Sequence, residues 1–150
     1  MDFTIAKAKK KIFELTNTIL GVEATFEDTG NNDLLLHMPL LNPVNDEKTI
    51  NIEVSLFDVG NLYISFMCDK FEESEELYQK INDFNITTSG VFKAYLDQED
   101  YKGKLFVELN VVDVFDLDRL AKYYEIALST LFNKSKIAEA FNDILRLNEA

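Results

Sequence analysis

Tryptophan is absent from this chain, cysteine and histidine occur once each, and proline occurs twice. The lone cysteine, Cys68, excludes an intrachain disulfide and any cysteine-cluster zinc site. With His37 as the single imidazole, most nucleophile–base and metal constellations lack a second member. No apolar run approaches the roughly 18 residues that would suggest a membrane-crossing helix. The N-terminal stretch "MDFTIAKAKKKIFELTNTIL" sets its lysines inside an amphipathic pattern, whereas a signal peptide puts charge ahead of a continuous apolar block. A cytoplasmic protein that avoids membranes is therefore expected. Gly21, Gly30, Gly60, Gly90 and Gly103 are isolated, so no glycine-rich phosphate loop is formed.

What is present is apolar and acidic. Hydrophobic residues make up 47% of the 150 residues, with 12 Phe and 6 Tyr, enough for the core of one domain spanning 1–150. The formal charge is −12, although residues 1–12 hold four lysines against Asp2 alone. Such a body repels nucleic-acid phosphates and anionic membranes and attracts basic partners.

Periodicity assigns the elements. Ile5, Ala8, Ile12, Leu15 and Ile19 follow helical spacing, with Phe13 and Leu20 widening the stripe and Gly21 as its stop. "VEATF", "DLLLHMPL", "INIEVSLF" and "LYISFMC" read as strands, the first pair joined by "EDTGNN" and the last by "DVG". Pro39 and Pro43 predict a loop of about ten residues between the second and third strands. "FEESEELYQKINDFN" reads as a helix whose early glutamates suit the dipole. "GVFKAYLD" and "KLFVELNVV" form a hairpin around "QEDYKG". Residues 116–150 read as a long helix capped by Asp116 or Asp118, with a bend at Asn133 to Ser135. The order is α-β-β-β-β-α-β-β-α, an α+β fold with helices on one face of a mainly antiparallel sheet.

Chemistry is sparse. Cys68 ends an apolar strand and His37 sits between Leu36 and Met38, with nothing to bring them together. "DQED" (Asp97–Asp100) lacks the alternating ligand spacing of a calcium loop. No catalytic residue, metal ligand or cofactor site is expected. Alternation leaves Phe57, Tyr63, Tyr95 and Phe106 on the sheet face away from the helices, and exposed aromatic patches mark contacts.

The helix end "LYQKINDFN", the strand "GVFKAYLD", an acidic turn, "KLFVELNVV" and the helix opening "FDLDRLAKYYEIAL" together resemble the type III secretion chaperone-like superfamily. The resemblance is greatest to its YbjN-type bacterial sensory transduction regulators. It implies a non-enzymatic, chaperone-like or regulatory module that forms a homodimer and binds a segment of another protein. It further implies Phe13, Leu20, Phe57 and Tyr63 for partner contact, and Leu77, Tyr78, Ile81, Val91 and Tyr95 for self-association. The alternative is an acidic inhibitor or immunity protein that blocks a basic, nucleic-acid-binding surface of its target.

Overall fold

The computed structural model describes residues 4–21, 27–28, 34–57 and 60–149. Strands β1 (Glu27–Asp28), β2 (Leu34–Asn42), β3 (Asn45–Phe57), β4 (Asn61–Lys70), β5 (Lys93–Leu96) and β6 (Lys104–Val112) form one sheet in the order β1-β2-β3-β4-β6-β5. Every pairing in it is antiparallel. Helices α1 (Ile5–Leu20), α2 (Glu75–Thr88), α3 (Leu117–Phe132) and α4 (Lys136–Arg146) complete the fold. The α+β class expected from the pattern is the one observed.

Registry explains why the helices lie on one side. Leu36, Val54, Ile64 and Leu109 stand side by side across four strands, and Met38, Ile52, Phe66, Val107 and Ala94 make the next row across five. All of them are buried. Each large aliphatic or aromatic side chain removed from water contributes about 1.5–3 kcal/mol, so these rows require a covering layer. That layer is α1 against α3 and α2 against α4. Rings link its parts: Phe66 to Phe132 at 5.7 Å, Phe132 to Phe141 at 6.1 Å, Phe141 to Phe84 at 6.2 Å and Phe84 to Phe92 at 6.5 Å.

The observed elements differ from the expected ones in three places. The loop expected around Pro39 and Pro43 is instead a tight hairpin, in which the Asn42 Oδ1 accepts from the Val44 N–H at 2.9 Å. Pro39 lies within β2 opposite Asn51. Because β1 pairs only with Leu36 and His37, Pro39 sits at a sheet edge among the described residues, where a missing N–H is tolerated. The expected strand "VEATF" falls outside the described residues, and Glu27–Asp28, expected in the turn after it, form β1. The bend expected at Asn133 to Ser135 is a full break, so the C-terminal helix is two helices. Ser135 ends the first by donating to the Thr130 carbonyl and starts the second by accepting from the Ala138 N–H, at 2.9 and 3.0 Å.

Thr16 anchors α1. It is fully buried, and its hydroxyl is 2.8 Å from the Ile12 carbonyl and 2.6 Å from the Tyr124 hydroxyl on α3. A carbonyl only accepts, so the single Thr16 proton goes to Ile12 and Tyr124 donates to Thr16. Burial raises the Tyr124 pKa. Thr16→Val strands the Tyr124 hydroxyl and is expected to cost about 1–3 kcal/mol, whereas Tyr124→Phe costs about 0.5–1.5 kcal/mol. Urea denaturation of the two variants checks this order.

A candidate protein-binding face on the sheet

The residues between the buried rows point to the side of the sheet away from the helices. One row there holds His37, Glu53, Ser65, Glu108 and Lys93 across five strands. The next holds Asn51, Met67, Phe106 and Tyr95. Tyr63, opposite Asn110, lies diagonal to Glu108, and so does Tyr95. Diagonal neighbours on one sheet face are within reach of long side chains.

Glu108 uses that reach. Its Oε1 accepts from the Tyr63 hydroxyl in a short bond and from the Tyr95 hydroxyl at 2.5 Å. Half-burial, and then the hydrogen bond to Glu108, raise both phenol pKa values well beyond the ordinary tyrosine range. Tyr95 stacks on Phe106 with centroids 5.6 Å apart and planes 14° apart. Tyr101 tilts against the same Phe106 at 6.0 Å. The Lys93 and Lys104 ammonium groups lie over the Tyr95 and Tyr101 rings, at 5.4 and 5.9 Å. The result is a partly exposed aromatic platform with a carboxylate pinned at its centre.

The expected site residues separate on this geometry. Tyr63 and Tyr95, expected in different contact sets, share the outer face through Glu108. Phe57 belongs to β3 opposite Asn61, and its side chain is outside the described residues. Phe13 and Leu20 pack partly buried against the core on the helix side, away from Tyr63. Leu77 and Ile81, expected to meet a second copy, are core residues at 1% and 7% exposure and present no contact surface. Tyr78 and Val91 are exposed, together with Ile86, on and just after α2. At the start of α2 an open depression of about 800 Å³ is lined by Glu73, Ser74, Glu75, Glu76, Tyr78 and Gln79.

Other candidates for chemistry are held apart or occupied. Cys68 is buried on the helix side with its thiol pKa pushed up by burial, while His37 is on the outer face. Asp97 spends its carboxylate on the Glu99 and Tyr101 N–H groups, both at 3.1 Å. Asp116 caps α3 through the Arg119 N–H at 2.8 Å. Asp113 is held low first by the Val114 N–H and then by Tyr123, with Arg119 adding to both. Among the described residues no group of three potential metal ligands occurs, and no helix is long and apolar enough to cross a membrane.

Residue order alone gives Glu108 no role, because cross-strand registry decides which phenols reach it. The raised folded-state pKa values of Tyr63 and Tyr95 stabilise the fold fully below about pH 10, and that contribution is lost as pH rises further and the unfolded chain ionises first. Glu108→Gln removes the charged acceptor. Phenolate absorbance during an alkaline titration should then show these two tyrosines ionising at lower pH than in the unsubstituted chain.

No protein-family model and no curated protein matches the chain. Among solved structures it is similar to YbjN from E. coli, a proposed transcription regulator, with a TM-score of 0.57 and 17% identity over 99% of this chain and 96% of that one. At such low identity the likeness is one of fold, and it is to a YbjN-like fold that this α+β chain conforms.

Proposed function

We propose that this chain is a non-enzymatic protein-binding module of regulatory type, whose contact surface is the outer face of the sheet. The observation that carries the reading is the uncovered platform of Tyr63, Met67, Tyr95 and Phe106 around Glu108. A partner segment lying across it would bury apolar side chains on the Tyr95–Phe106 stack. It would also donate a hydrogen bond to Glu108, whose Oε1 alone takes both phenols among the described residues. Pre-set rings and a pre-set carboxylate cost little entropy on docking. The YbjN-like fold and the resemblance to type III secretion chaperones support the same reading, since those chaperones hold partner segments against sheet and helix surfaces.

Self-association belongs to the proposal as a second contact, through Tyr78, Ile86 and Val91. The exposed Glu75, Glu76 and Asp83 beside them mean that such a contact strengthens with added salt, because like charges are screened. The acid-lined depression at the start of α2 favours a second reading, an acidic inhibitor of a basic surface.

Affinity capture of the tagged chain, run beside a Phe106→Asp variant, separates the two. On the leading reading a partner retained by the unsubstituted chain binds the variant about tenfold or more weakly and withstands moderate salt. Binding that ignores Phe106 and collapses with salt would replace the leading reading with the inhibitor.

A further inference from the structure

After Arg146 the helix α4 gives way to one loose turn, residues 147–149. The amides of Leu147, Asn148 and Glu149 donate three residues back, to the carbonyls of Ile144, Leu145 and Arg146, at 3.1, 3.2 and 3.0 Å. Bonds of this tighter spacing have poorer geometry than those of an α-helix, so the turn holds itself weakly.

Distant parts of the chain fix it instead. The Asn148 Nδ2 donates to the Lys70 carbonyl at the end of β4, at 3.0 Å. Glu149 divides its carboxylate between two residues of the β2–β3 hairpin. Its Oε2 accepts from the Asn45 Nδ2 at 2.8 Å, and its Oε1 from the Lys48 ammonium at 3.0 Å. The Asn45 Oδ1 is taken by the Glu47 N–H at 3.0 Å, which leaves the Nδ2 for Glu149. Lys48, and then Asn45, hold the Glu149 carboxyl below its ordinary pKa, so this tie is charged at neutral pH. Leu147 and Asn148 also border a cleft of about 300 Å³, which Phe71, Leu77 and the start of α2 line from elsewhere in the chain. A close-packed junction would leave no such volume.

We propose that residues 147–149 are a strap that closes this cleft, latched by Glu149 to Asn45 and Lys48, and that the strap swings free as a unit while the rest of the fold stays closed. Its ties are side-chain bonds at partly exposed groups, and local openings are drawn from segments held in that way. Opening lifts Leu147 from the core it packs against and gives access to Phe71 and Leu77, which are 4% and 1% exposed with the strap in place. Both belong to the core on the helix side, so the strap is independent of the outer-face reading and stands or falls without it.

The test is Lys48→Glu, which sets two acids against each other, beside the charge-swapped pair Lys48→Glu with Glu149→Lys. Two readouts are needed: backbone NMR relaxation at residues 147–149, and the fluorescence of Nile red, a neutral apolar probe of the cleft. Lys48→Glu is expected to lower the order of 147–149 and raise Nile red emission about two- to fivefold, the range that a partly exposed ion pair supports. Exchange of the Ile64 and Phe66 amides should stay unchanged, and the charge swap should return both readouts. Unchanged order at 147–149 in Lys48→Glu overturns the latch, as does a charge swap that restores neither readout. Lowered order without added Nile red emission overturns the strap as a closure of the cleft. Should Lys48→Glu fail to fold, Lys48→Met decides by the same two readouts.

Discussion

One-sided burial is the constraint on which this molecule turns. The rows through Val54 and Ile52 cross the sheet without a polar interruption, and only a layer of helices removes them from water. The rings from Phe66 through Phe132, Phe141 and Phe84 to Phe92 join that layer across the break between α3 and α4. Ser135 can therefore redirect the chain without separating the two helices from a common core.

A single covering layer leaves the far face and the boundary strands of the sheet to be dealt with by side chains. On the far face the answer is partial: rings stack, two phenols converge on Glu108, and lysine ammonium groups lie over the outermost rings. Apolar area stays accessible there while the Tyr63 and Tyr95 hydroxyls are paired, a condition that suits a surface that docks without rearranging. At the β5 boundary Asn85 and Thr88 of α2 supply partners for the Ala94 N–H and carbonyl and for the Phe92 carbonyl. The proposed binding role draws on the first treatment.

Much of this was readable from residue order because the periodicities are long and regular. The α1 stripe, the alternation in β3 and β6, and the α3 positions Leu120, Tyr124, Leu128 and Leu131 all point inward as their spacing requires. Prolines misled, because a proline forbids a ladder bond only on the side its nitrogen faces, and Pro39 stands where β2 has no outer neighbour among the described residues. Leu77 and Ile81, expected in a self-association contact, lie in the core instead, since spacing along a helix does not say whether its apolar side meets the sheet layer or a second chain. Glu108 and Asn85 were illegible for a related reason. An acid in a strand and an amide in a helix look like ordinary polar surface until registry shows what stands 2.5 to 3.0 Å away.

The hydroxyl pair between α1 and α3 has a consequence for how the first helix can sit. Its apolar stripe repeats every turn, so sliding α1 along α3 by one turn would match greasy surface to greasy surface almost as well. Such a slip moves Thr16 by about 5.4 Å and leaves a phenol stranded in hydrocarbon. A single threonine thus acts as a ratchet tooth, turning a slippery contact into one with a unique setting.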